Sequence, residues 1–355
     1  MEAVNFTGTE PLANPAALNL TALKKWLIAR IEGCEGQISV ERFRGGQSNP
    51  TLLLSFDGKR KLVIRKKPEG KLLPSAHAVD REFRVISALQ NSDVPVAPPR
   101  AFCDDDSVLG TMFYVMDYVP GRSFWEPWLP DLSPPERAAI YAEMNRVIAA
   151  LHLLPWQEQL SGFGRPETYV ARQVARWSRQ YAASETVSIP AMDRLMAWLP
   201  ENIPAQRRAS LIHGDFRIDN LIFHPTEPRI AAVVDWELST IGDPMADFAY
   251  STLTWNFSRR PYRGLADLDL AGSGIPDARA YRDAYLRATG QETVSDRDWY
   301  ALLAFSLFRV AAIRQGIRKR VVEGNAVSPH ARAAGELAAD VAELGWSYAE
   351  KAMQS

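Results

Sequence analysis

Cysteine is nearly absent from this chain of 355 residues: Cys34 and Cys103 are the only two. Two thiols offer neither metal-ligand spacing nor a disulfide framework, which favours a reducing, cytoplasmic setting. Histidine is also scarce, with five in all and none paired at zinc-ligand spacing. No apolar run approaches about eighteen residues, so no membrane span is expected. The first twenty residues lack a basic segment followed by an apolar run, so no signal peptide is expected. A net charge of −1 gives no global pull toward nucleic acid or an acidic membrane. No Gly-x-x-x-x-Gly-Lys-Ser/Thr and no Gly-x-Gly-x-x-Gly occurs, which argues against P-loop and dinucleotide-binding folds. There is no internal repeat.

What is present suits a folded chain with a filled core, 46% apolar and 23% charged, and the length fits two lobes. Residues 1–20, with Gly8, Pro11 and Pro15, read as a flexible arm. Thr21 is a candidate cap for a helix through Leu23, Trp26, Leu27 and Ile31 that ends at Gly33. Ile38, Val40 and Phe43 change the period. Thr51–Phe56 and Lys61–Arg65 read as strands joined by Asp57-Gly58, a strong hairpin signal. Residues 78–90 read as a helix, and Thr111–Met116 as a strand before Pro120-Gly121. Beyond that point residues 134–153, 167–183, 190–199 and 296–322 carry helical patterns. One β insert, Leu221–Phe223 and Ile230–Val234, interrupts them. The predicted class is α+β, with a small antiparallel-sheet lobe over 21–117 and a larger, mostly helical lobe over 118–355.

The chemistry concentrates in His213-Gly214-Asp215-Phe216-Arg217-Ile218-Asp219-Asn220 and in Asp235-Trp236-Glu237. Phosphoryl transfer needs a carboxylate to orient and deprotonate the attacking hydroxyl, and oxygen ligands to hold magnesium on the nucleotide phosphates. Asp215, in a loop after the apolar pair Leu211-Ile212, suits the first task. Asn220 and Asp235, on opposite arms of one hairpin, suit the second. A lone Asp215 would read as an ordinary surface carboxylate and a lone Asp235 as a turn cap; the spacing of the three decides against both. His213 reads as a structural residue that fixes its loop. His152 reads the same way. Asp243 before Pro244 fits an N-cap, and Asp247 is placed to brace the catalytic loop from behind.

The remaining candidates are weaker alone. Gly45-Gly46-Gln47-Ser48-Asn49 lies between strands, and Ser48 and Asn49 are offered as phosphate donors. Arg65 can reach phosphates with Glu82 as its partner; a solvated edge Arg65-Lys66-Lys67 is the competing reading. The backbone at Met116, Asp117 and Val119 is a candidate for an adenine edge. Glu237, Arg172, Arg176 and Arg309 are candidates for the acceptor, the arginines for an anionic tail; a core stripe with a solvated basic face is the blander alternative.

His213-Gly214-Asp215 with Asn220, Val234-Asp235-Trp236-Glu237, and Gly242-Asp243-Pro244 with Asp247 resemble the motifs of the aminoglycoside phosphotransferase and choline kinase-like family. The resemblance implies a two-lobed protein-kinase-like fold, ATP and Mg2+ as cofactors, and a small-molecule hydroxyl acceptor. It implies Asp215 as catalytic base, Asn220 and Asp235 as magnesium ligands, and Arg65 with Glu82 as the nucleotide-site ion pair. Arg65 stands where most kinases carry lysine. Only five residues separate Asp235 from Ile241, which leaves no room for a protein-kinase activation segment. Arg65-Lys66-Lys67-Pro68, Ala76 to Glu82 and Leu303 to Arg309 are similar to the branch that includes kinase-like domains fused to acyl-CoA dehydrogenases. That similarity suggests a hydroxylated acyl thioester as acceptor. The alternatives are an antibiotic phosphotransferase and a regulatory nucleotide-binding pseudokinase.

Overall fold

A computed structural model describes residues 8–12, 14, 18–44, 49–68, 78–291, 293–324 and 329–355. In chain order the elements are β1 (Thr9–Pro11), α1 (Leu20–Ile28), β2 (Ile38–Phe43), β3 (Thr51–Phe56), β4 (Arg60–Lys66), α2 (Val79–Leu89), β5 (Pro99–Cys103), α3 (Asp106–Leu109) and β6 (Phe113–Asp117). Then come α4 (Pro134–Leu153), α5 (Tyr169–Ser184), α6 (Pro190–Asn202), β7 (Ser210–Ile212), β8 (Leu221–Phe223), β9 (Ile230–Val233), β10 (Thr240–Gly242) and α7 (Pro244–Ser251). Helices α8 (Ala278–Ala288), α9 (Asp296–Val322), α10 (Pro329–Glu336) and α11 (Ala338–Gln354) complete the chain. They form two compact units. The first comprises residues 1–125, 157–161 and 218–239, and the second 126–156, 162–217 and 240–355.

The first unit is built on a six-stranded antiparallel sheet in the order β1-β2-β3-β4-β6-β5. Strand alternation sorts β4 onto two faces. Leu62 and Ile64 pack with Leu23, Trp26 and Leu27 of α1, and Trp26 meets Phe113 edge-on at 5.1 Å. Arg65 faces the other way, toward α2. The β3–β4 turn places Asp57 at φ 47° and Gly58 at φ 69°, the left-handed pair that the right-handed twist of a hairpin favours. Two expectations need correction. The arm is not loose throughout, because Thr9–Pro11 pairs with Glu41–Phe43 and extends the sheet. The cap of α1 is Asn19, whose side chain accepts from the Ala22 N–H, and not Thr21. The β8–β9 hairpin also belongs to the first unit, whereas a single cut after 117 assigns it to the second. Arg122 bridges to Phe223, and the Val233 N–H donates to the Pro95 carbonyl at 2.8 Å. A Cβ on Gly121 would stand 2.3 Å from the Phe223 carbonyl, so glycine permits that approach.

The second unit is mostly helical. Helix α4 begins with Pro134 behind a capping box made by Ser133 and Glu136. Helix α9 is long and apolar enough to cross a membrane by length and composition, but 67% of its apolar window is buried inside the structure. It serves as the core helix, packed by α5, α6, α7, α10 and α11. Strand β7 pairs with β10, Ile212 opposite Thr240, and this pair leads directly into the His213–Asp215 loop. Gly164 lies against β10: a Cβ there would meet Thr240 Oγ1 at 2.5 Å and the Ile241 amide nitrogen at 2.7 Å. Gly164→Ala is therefore expected to destabilise the second unit by about 1–3 kcal/mol, the usual penalty of overpacking against backbone. Urea denaturation would show it as a lower midpoint at constant slope.

Candidate functional site

In the first unit, the strand alternation that points Arg65 at α2 creates a buried polar network. Arg65 is 7% exposed and Glu82 1%. Arg65 Nε lies 2.7 Å from Glu82 Oε2, while its Nη2 donates to Asp235 Oδ1 at 2.6 Å. Glu237 Oε2 is 3.9 Å from the same Nη2. Asn49 Nδ2 donates to Glu82 Oε1 at 2.8 Å, and the Tyr114 hydroxyl donates to Glu82 Oε2 at 3.1 Å. Burial pushes the Glu82 carboxyl up to about 7, against the pull of Arg65. For Arg65, burial is outweighed by Glu82, Tyr114, Asp235 and Glu237, so its pKa is raised and the guanidinium stays charged. The solvated-edge reading fails here, since Lys66 is also buried, with Nζ donating to the Leu109 carbonyl on the opposite face.

The hairpin brings the two candidate metal ligands to one end. The Val234 N–H donates to the Asn220 carbonyl at 3.0 Å, so Asp235 directly follows the pairing partner of Asn220. Asp235 adopts φ 67°, ψ 57°, a left-handed conformation that costs an L-residue roughly 1–3 kcal/mol and concentrates at functional sites. Nothing in the sequence announced that conformation, although Asp tolerates it better than most residues.

The first unit also corrects several assignments. Ser48 lies outside the described residues. Asn49 is fully buried, and its amide is spent on Glu82 and not held out for phosphate. The Asp117 carboxylate is clamped by Arg60 Nη2 at 2.8 Å and by Arg100, whose Nε stands at 2.9 Å. The Asp117 N–H donates to Pro98 and the Tyr118 N–H to Lys61. Met116 is inside the β4–β6 ladder, so the backbone at Val119 is the part of that candidate set beyond the last ladder bond. Glu237, offered for the acceptor, has its Oε2 3.9 Å from Arg65 Nη2.

In the second unit, α7 and α9 hold the His213–Asp215 loop. Asp243 caps α7, accepting from the Met245 and Ala246 N–H groups at 2.8 and 3.3 Å. One turn on, Asp247 accepts from the His213 N–H at 3.0 Å and the Gly214 N–H at 2.8 Å. His152 Nε2 lies 3.2 Å from Asp247 Oδ2, and His152 Nδ1 lies 2.7 Å from the Tyr285 hydroxyl. Burial would raise the Asp247 carboxyl, but His152, His213 and the bond from the His213 amide bring it below the usual range. His213 is fully buried, and its Nδ1 accepts from the Asp215 N–H at 3.2 Å. The Asp215 carboxylate is 19% exposed, with Arg217 Nε 3.2 Å from Oδ1. Arg309 is not an acceptor-lining group: it is 6% exposed and donates to the Gly214 carbonyl at 2.8 Å. Arg172 donates to the Arg165 carbonyl at the start of α5, and Arg176 is exposed beside Trp177.

Comparison with known proteins bears on this chemistry. A model of the phosphotransferase enzyme family matches residues 39–303. The chain belongs to that family. This phosphotransferase is 46% identical over 347 residues to acyl-CoA dehydrogenase family member 10 of Mus musculus, covering 97% of the chain and 32% of that protein. It is 42% identical to acyl-CoA dehydrogenase family member 11 of Homo sapiens over 88% of the chain and 40% of that protein. The phosphotransferase thus spans about a third to two-fifths of these relatives' length. A solved structure from Ralstonia eutropha, assigned provisionally as an aminoglycoside phosphotransferase, superposes with a TM-score of 0.86 at 50% identity, covering 94% of this chain and 98% of its own. Spectinomycin phosphotransferase, solved with ADP and spectinomycin, shares the fold at 12% identity, with a TM-score of 0.59 and coverage of 92% and 98%.

Proposed function

We propose that this phosphotransferase is an ATP- and Mg2+-dependent kinase of a small hydroxylated metabolite. The observation that carries the reading is Arg65, buried and shared between Glu82 and Asp235. A cation held on Asp235 by the fold marks this carboxylate as one that takes a positive partner, and Asn220 adds a neutral oxygen at the same hairpin end. That donor set suits a small, hard cation whose other ligands are phosphate oxygens and water. When bound, magnesium would neutralise charge on the transferring phosphoryl group. Arg65, oriented by Glu82, presents a fixed guanidinium for phosphate. Asp215 orients the acceptor hydroxyl and takes its proton as the oxygen bonds to the γ-phosphorus, with ADP leaving. Positioning and charge stabilisation supply most of the rate.

For the acceptor, we infer a hydroxylated acyl thioester. Support comes from the two acyl-CoA dehydrogenase family relatives. The test is an ADP-release screen of alcohols, hydroxyacyl thioesters and aminoglycosides with Mg-ATP. Stimulation by a hydroxyacyl thioester is expected. Stimulation by aminoglycosides alone would replace this acceptor with the one suggested by the Ralstonia relative. ATP binding without any turnover would favour a regulatory role.

A further inference from the structure

Arg309 is a buried cation, 6% exposed. No carboxylate among the described residues meets it in an ion pair, although Asp215 and Asp247 favour its charge through space. Its guanidinium carbon lies 4.3 Å over the Tyr250 ring and 5.9 Å from the Trp177 ring. Its Nε meets no acceptor among the described residues. An unpaired buried charge is unfavourable, and an apolar side chain would fill the same place without that penalty. Leu302, Phe305 and Phe308 do so on the same helix. Core packing therefore does not account for an arginine here.

Its one hydrogen bond does. Gly214 turns the chain at φ 84° directly before Asp215. The peptide joining Gly214 to Asp215 is held at both of its polar atoms. The carbonyl accepts from Arg309 Nη2 at 2.8 Å, and the N–H donates to His213 Nδ1 at 3.2 Å. The preceding peptide is fixed by Asp247. Arg309 thus supplies the clamp that sets the plane from which the Asp215 side chain projects. The flat face of Tyr250 keeps the guanidinium in register, a planar contact that lysine does not reproduce.

We propose that Arg309 is a positioning residue for Asp215, acting through the Gly214 carbonyl. The proposal rests on Asp215 meeting the acceptor hydroxyl, and two measurements separate its failure from the failure of that reading. The first needs no activity: hydrogen exchange of the full chain, comparing wild type with Arg309→Met. Amides of residues 213–217 are expected to exchange about tenfold faster while α4 and α7 keep their protection, the signature of a local opening. The second is ADP formation from Mg-ATP with water as acceptor. Here kcat is expected to fall about 10²-fold, as for a misplaced catalytic group. KM for ATP should stay within about twofold, and Arg309→Lys should recover part of kcat. If Arg309→Met does not fold, Arg309→Lys and Arg309→Gln carry both measurements. Unchanged exchange at 213–217 in a folded variant overturns the proposal, whatever the activity. So does an unchanged kcat where wild type turns over. A wild type that forms no ADP, with exchange altered as expected, counts against the kinase reading and leaves the clamp standing.

Discussion

Asp215→Ala is expected to lower phosphoryl transfer by roughly 10³-fold, within the range contributed by a positioned general base, while Mg-ATP still raises the melting temperature as in wild type. The structure supplies the reason for both halves. Asp215 belongs to the second unit, where its backbone is fixed by His213, Asp247 and Arg309. Arg65, Glu82, Asn220 and Asp235 all belong to the first unit. Truncating Asp215 removes a carboxylate of the second unit and leaves Arg65, Glu82 and Asp235 of the first unit unaltered in sequence. Asp215→Asn sharpens the result, because it keeps shape and hydrogen-bonding reach while removing the proton acceptor. A loss of kcat in both variants with unchanged KM for ATP identifies a group used in the transition state. Turnover near wild type in Asp215→Ala would remove the central assignment. Loss of the ATP-induced thermal shift would move Asp215 into the nucleotide site.

The parts of this molecule that were legible in its sequence are those written in local patterns. The Asp57-Gly58 turn needs two left-handed residues in succession and has them. Asp243-Pro244 states its own cap, and the spacing of Asn220 and Asp235 encodes a hairpin that the structure forms. Features that depend on distant partners were not legible. Asn49 beside Ser48 looks like loop chemistry until α2 brings Glu82 to it across 33 residues. Asp117 sits at a strand end like any exposed carboxylate, and only the sheet order places Arg60 and Arg100 around it. Arg309 on an amphipathic helix reads the same whether it points to solvent or to a loop 95 residues earlier. Strands β1, β5 and β10 are five residues or fewer, too short for a period of two to register against their surroundings.

Arg65→Met is expected to destabilise the first unit most at pH well above 7, by up to about 3–5 kcal/mol, the penalty for leaving one member of a buried ion pair alone. Glu82 bears most of this, being 1% exposed, whereas Asp235 reaches solvent with 34% of its side chain exposed. Asn49 and Tyr114 remain as donors to Glu82 but carry no compensating charge. The effect has a defined pH dependence. In wild type the Glu82 carboxyl is raised by burial from 4.5 to about 7 even with Arg65 beside it. Removing the guanidinium raises it further. A carboxyl raised on folding favours the native state below its unfolded pKa, and that contribution is lost as pH climbs through the folded value. The destabilisation by Arg65→Met should therefore be small near pH 4.5, where Glu82 is protonated in the folded state of both proteins, and should grow as pH climbs to and beyond 7. Adding Glu82→Leu to Arg65→Met should recover part of the loss at pH 8 and little at pH 5, because the double variant has no buried charge left to strand. Guanidinium denaturation of the single and double variants at these two pH values checks both statements. Equal destabilisation at pH 5 and pH 8 would show that Glu82 is not the group left unpaired. The nucleotide site would then need a different electrostatic account, since the same guanidinium is the one offered to phosphate.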